Sequence, residues 1–141
     1  MNRRGFTMIE VMLVIVVGGL LMVLGLPRLR TATIRAELGG ARNAVASQVA
    51  RARAASVEMS RTTRVVVVGN RVAVVSGVDT IGPIQDISAQ FGATVSTGGD
   101  VGALGFDPRG FGTNTASATI TATRSGYTKS LVILPYGRLQ P

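Results

Sequence analysis

The chain contains no cysteine, no histidine and no tryptophan. Without cysteine there is no disulfide framework, no thiolate metal site and no thiol nucleophile. Without histidine the commonest general base and the commonest metal ligand are missing as well. Acids are scarce: the seven are Glu10, Glu37, Glu58, Asp79, Asp86, Asp100 and Asp107, scattered without metal-ligand spacing. The glycines make no phosphate cradle, for neither Gly-x-x-x-x-Gly-Lys nor a strand-bounded Gly-x-Gly-x-x-Gly is present. These absences argue against an enzyme, and no cofactor or metal is expected. Aromatics are 4% of the residues, which leaves little of the base-stacking surface that single-strand nucleic-acid binders use.

What the chain does have is one long apolar run. A polar head containing Arg3 and Arg4 ends at Gly5, and the stretch from Phe6 to Leu26 follows. At about 1.5 Å of rise per residue this stretch crosses a bilayer core of roughly 30 Å. Glu10 is its single charged residue. A carboxylate at membrane depth costs on the order of 2.5–3.5 kcal/mol on insertion scales, and no Lys, Arg or His between Phe6 and Leu26 relieves it. Glu10 must therefore be neutral, drawn to the interface, or paired with a group from another molecule or a newly made N-terminus. Cleavage at the small-aromatic junction Gly5-Phe6 would place such an amine about one helical turn ahead of Glu10.

The residues Gly5-Phe6-Thr7-Met8-Ile9-Glu10 ahead of an apolar helix closely resemble the class III signal of type IV pilins and type II secretion pseudopilins, with Met8 in place of Leu. The resemblance implies that an inner-membrane prepilin peptidase cuts after Gly5 and methylates the amine of Phe6. It implies further that Glu10 meets the N-terminal amine of an adjacent subunit during filament growth. An ordinary secretory signal fits less well: its apolar core is about 7–15 residues and a small-x-small site follows, whereas this run ends in Leu26-Pro27-Arg28. Loop charge points the other way, since Arg28, Arg30 and Arg35 follow the span. The orientation expected here, a single pass through the bacterial inner membrane with a periplasmic C-terminal domain, rests on the resemblance.

Gly18, Gly19 and Gly25 weaken the second half of the span, and Pro27 is expected to end it. In the pilin family such a region can melt when subunits pack, and these four residues suit that behaviour and a mild kink equally. From Leu29 to Met59 a helical stripe of Ile34, Leu38, Ala41, Val45, Val49, Ala52, Ser56 and Met59 is narrow and small enough to lie close on a sheet. Arg35, Arg42 and Arg53 flank it, and Gly39-Gly40 weakens its middle. After Ser60 the pattern turns to strands. Thr62 to Val68 and Arg71 to Ser76 read as a hairpin about Gly69-Asn70; Gly77 to Gly105 reads as loop with a strand at Gln90 to Ser96 and a turn at Thr97 to Asp100. Gly105 to Gly110 reads as a strand end and turn. Ala116 to Arg124 and Lys129 to Leu134 form a second hairpin, and Tyr136 to Leu139 a last strand.

The whole chain, through Ala52-Arg53-Ala54-Ala55-Ser56, the Phe106-Asp107-Pro108-Arg109-Gly110 turn and Gly137-Arg138-Leu139, resembles the GspH/FimT family. This implies an α+β, pilin-like fold: a long N-terminal helix, membrane-spanning in its first half, packed on a small antiparallel β domain of one sheet or two. The expected parts are a leader 1–5, a span 6–27 and a periplasmic domain 28–141, with helix 28–59 and β region 60–141. The expected role is a minor pseudopilin of type II secretion, with other pilin subunits, the peptidase and the inner-membrane assembly platform as partners. The alternative is a FimT-like minor pilin that binds DNA weakly. The net charge of +8 and Arg109, Arg124, Lys129 and Arg138 support it, but the Gly-Arg-x-Arg pattern stops at Gly137-Arg138-Leu139-Gln140. Intact-mass measurement of the chain made alongside a prepilin peptidase should give a product that starts at methylated Phe6; a start near Thr31 or Ala32 would point to ordinary signal peptidase instead.

Overall fold

Small apolar residues recur every third or fourth position after Thr33, and a helix carrying such a stripe can bring its backbone close to a sheet. In the computed structural model, which describes residues 6–99 and 104–140, that helix is α1, Met8–Glu58. The leader 1–5, with Gly5, and Asp100 lie outside the described residues. By contacts the chain divides into two units, Met1–Thr33 and Ile34–Pro141, and the packed core belongs to the second.

In the second unit Leu38, Ala41, Val45, Val49 and Ala52 are all buried in one cluster with Val65, Val74, Phe106, Ile120, Leu131 and Ile133. The expected stripe is therefore the packing face, except that Met59 at its end is 48% exposed. Gln48 and Ala55 are buried beside it. Gly40 has a use the sequence reading did not give it. A Cβ there would come within 2.6 Å of the Phe91 ring, so the glycine admits the aromatic against the helix backbone and the helix continues through it.

Strands β1 (Thr63–Val68), β2 (Arg71–Ser76), β3 (Asp79–Thr80), β4 (Gln85–Asp86) and β6 (Gly105–Phe106) form one antiparallel sheet, in the order β3-β2-β1-β6 with β4 also on β2. Strands β5 (Thr94–Gly99), β7 (Ala118–Arg124), β8 (Tyr127–Leu134) and β9 (Arg138–Gln140) form the other, in the order β5-β7-β8-β9. The fold is α+β, with two antiparallel sheets. Both expected hairpins are present, with Val68 opposite Arg71 and Arg124 opposite Tyr127. Gly69 (φ 59°), Ser125 (φ 49°) and Gly126 (φ 80°) supply the positive φ that matches a two-residue turn to twisted strands. Asn70 then ties the sheets together: its carbonyl accepts from the Ile87 N–H and its Oδ1 from the Val95 N–H, both at 2.9 Å.

The expected long N-terminal helix is unbroken from Met8 to Glu58 and passes through Pro27. Proline removes one N–H and crowds the carbonyl four residues back, and here the bonds of the adjacent turns carry the helix through that local loss. Two other expectations, for Gln90 to Ser96 and for Thr97 to Gly99, are corrected. The strand expected at Gln90 to Ser96 starts only at Thr94, because Ile87–Phe91 close into a helical turn, α2, capped by Asp86 and ended by left-handed Gly92. Thr97, Gly98 and Gly99 are not a turn but the end of β5, paired with Ile120, Thr119 and Ala118. The Asp86 cap is tightly held. The Ala89 N–H, the Ser88 hydroxyl and Arg71 bring its carboxyl down to about 2.

Burial of the stripe generates a stability prediction. Leu38→Ala removes a side chain that is 1% exposed and should lower the unfolding free energy of the full chain by about 2–5 kcal/mol, whereas Met59→Ala should change it by about 0.5 kcal/mol or less. Denaturant titration followed by circular dichroism reads both; equal effects would contradict the packing.

Candidate functional site

The start of α1 is built by its own side chains. The Thr7 N–H donates to Glu10 Oε2 at 3.5 Å, and the Glu10 N–H donates to Thr7 Oγ1 at 3.3 Å. This reciprocal pattern is a capping box, in which a Thr and a Glu three positions on satisfy each other's backbone donors. The carboxylate also lies at the positive end of the helix dipole. Glu10 thus has an intramolecular role that the sequence reading missed, although Thr7-x-x-Glu10 ahead of an apolar run is the spacing that signals it. Phe6, immediately before the cap, is 80% exposed.

Along the rest of the first unit the apolar side chains have no cover. Ile9, Leu13, Val16, Leu20 and Met22 are each more than 60% exposed. At Gly18, Gly19 and Gly25 nothing among the described residues lies within 4 Å of where a Cβ would stand, so no described contact accounts for their small size. The backbone through Gly18, Gly19, Gly25 and Pro27 is helical. By length and composition this stretch can cross a membrane.

The four basic residues weighed for DNA stand in different parts of the second unit. Arg109 is exposed in the turn after β6, where its N–H donates to Asp107 Oδ1 at 2.9 Å. Arg124 is not free: its Nη1 makes an ion pair with Glu37 Oε2 at 2.9 Å and donates to the Phe91 carbonyl. Lys129, opposite Ala122, shares the sheet face of that buried alanine. Arg138 lies opposite Leu134, and five residues along β8 from Lys129 is about 17 Å. Arg124 and Lys129 share one hairpin face, while Arg109 and Arg138 are elsewhere. The helix arginines also have local roles, Arg35 over the Tyr127 ring at 5.9 Å and Arg42 donating to the Gln140 carbonyl at 3.5 Å.

The family profile for the prokaryotic N-terminal methylation motif matches residues 1–26. Among solved structures the chain is similar to the type IV minor pilin FimU of Pseudomonas aeruginosa, at 19% identity and a TM-score of 0.57, over 75% of this chain and 88% of that one. The fold is type IV pilin-like. No curated protein matches the sequence significantly. The capping box and the first part of the exposed apolar helix lie within the residues that match this motif.

The commitment of Arg124 yields a prediction about DNA. The full chain in nanodiscs should bind duplex DNA no more tightly than about 10⁻⁴–10⁻⁶ M at physiological salt, the range of non-specific contact. Arg124→Ala should lower the thermal unfolding midpoint and leave that affinity unchanged. Submicromolar binding in a polarisation titration, abolished by Arg138→Ala, would make DNA capture the better reading.

Proposed function

We propose that the chain is a non-enzymatic filament subunit, cut after Gly5, N-methylated at Phe6 and held in the bacterial inner membrane by residues 6–27, with residues 28–141 in the periplasm. One observation carries the reading: an apolar helix whose side chains are exposed among the described residues begins with a carboxylate, Glu10. In a bilayer the lipid covers the helix but charges for the carboxylate. In a filament, neighbouring helices cover the same surface, and the Phe6 amine of an adjacent subunit neutralises Glu10. The capping box keeps the carboxylate at the helix start until that amine arrives. Gly18, Gly19, Gly25 and Pro27 are positions at which the helix loosens as it leaves lipid for the filament core. Partners on this reading are other pilin-like subunits, the prepilin peptidase and the assembly platform.

Within this class we assign the chain to the minor pseudopilins of type II secretion, GspH-like. The likeness to a type IV minor pilin supports a second assignment, a FimT-like minor pilin of a pilus or DNA-uptake machine. Neighbouring genes separate them: a secretion operon supports the first, a pilus or competence cluster the second.

Glu10→Ala tests the shared core of both. An intermolecular ion pair worth even about 1.4 kcal/mol makes each subunit addition tenfold more favourable. The variant should therefore insert in the membrane normally yet appear in filaments, or support secretion, at about a tenth of the parent level or less. Assembly equal to the parent would remove Glu10 from the mechanism.

A further inference from the structure

The two sheets treat their outer faces differently. In the second sheet the face opposite buried Ala118, Ile120 and Ala122 is mostly polar, carrying Thr119, Thr121, Thr123, Thr128 and Ser130 with Val132 opposite Thr119, as suits an antiparallel sheet with one solvated face. In the first sheet, the face opposite buried Val65, Val72 and Val74 carries Val66, Val68, Ala73 and Val75 instead. Val68 is 70% exposed. Ile84 rises beside these residues, and together they line an open groove of about 520 Å³. An aliphatic outer face of this kind marks an interaction surface rather than a solvated one.

The groove is preformed. Its wall is fixed by Asp86, which accepts from Arg71 Nε at 3.1 Å, from the Ser88 hydroxyl at 2.8 Å and from the Ala89 N–H at 3.0 Å. Those bonds use the acidic group at the rim. Arg64, opposite Val75, lines a neighbouring pocket that shares Val66 and Val75 with this groove; it is exposed and pairs with no carboxylate among the described residues. The surface therefore offers an aliphatic floor with a guanidinium beside it that no described carboxylate neutralises. A second copy is a poor occupant, because it brings its own Arg64 to the same rim and adds its own excess of basic over acidic residues. We infer that the outer groove of the β1–β2 hairpin docks a segment of a different protein, one that carries two or three aliphatic side chains next to an Asp or Glu that meets Arg64.

This inference rests on the domain surface and holds or fails independently of Glu10. The test places p-benzoylphenylalanine at Val68, at Ile84 or, as control, at Thr121 in the full chain, expressed in the bacterium that encodes it, followed by irradiation and mass spectrometry. Positions 68 and 84 should give an adduct with another protein, the crosslinked peptide being aliphatic with an adjacent carboxylate; position 121 should not. Arg64→Glu, with an unchanged unfolding midpoint, should lower adduct yield about fivefold. Changing the identified carboxylate to Lys should then restore it. Adducts with the chain itself or with lipid, no adduct at all, equal yield from position 121, or indifference to Arg64→Glu would each overturn the inference.

Discussion

An apolar helix that the described residues leave exposed must be covered by something else, and the proposed function depends on that constraint. Ile9, Leu13, Val16 and Leu20 stand in the open, so the first unit is complete only in lipid or among other helices. Both environments serve the aliphatic side chains almost equally well. Glu10 breaks the tie, since lipid offers a carboxylate nothing and a neighbouring N-terminal amine offers it a counter-charge. One acid in an otherwise uniform segment thus gives the proposed assembly its direction.

The second unit has the opposite character. Its helix face is small, with Ala41 and Ala52 fully buried, and Thr63 Oγ1 reaches the Ala52 carbonyl at 2.8 Å. Close approach of helix and sheets fixes the domain, and the ties through Asn70 and the Arg124–Glu37 pair hold its parts in register. A rigid domain can present surface without rearranging. The contrast between a threonine-faced sheet and a valine-faced one is visible only once the pairing is known.

Much of this was legible in the sequence because it is periodic. The stripe from Leu38 to Ala52 and the two hairpins were readable from spacing and turn chemistry, and so was the α+β class. What escaped was set by long-range partners or by competing local bonds. Gln90 and Phe91 look extended by composition, yet the Asp86 cap and Gly92 close them into a helical turn. Gly98 and Gly99 read as a turn but pair with β7. The use of Gly40 depends on Phe91, distant in sequence. At the candidate site the Gly5-Phe6 junction and Glu10 stood out from the run around them. Its capping partner Thr7 was overlooked, though the spacing was there to read, and the commitment of Arg124 to Glu37 had no local signal at all.

The account's central claim is that Glu10 is neutralised by the amine of another subunit. Solid-state NMR on filaments co-assembled from this chain, carrying ¹³C at the Glu10 carboxyl, and partner subunits, carrying ¹⁵N at the N-terminal amine, measures that contact directly. The account predicts an ionised carboxylate with intermolecular dipolar coupling for a separation within about 4 Å. A protonated carboxyl, or an ionised one with no coupling to any partner amine, would contradict it.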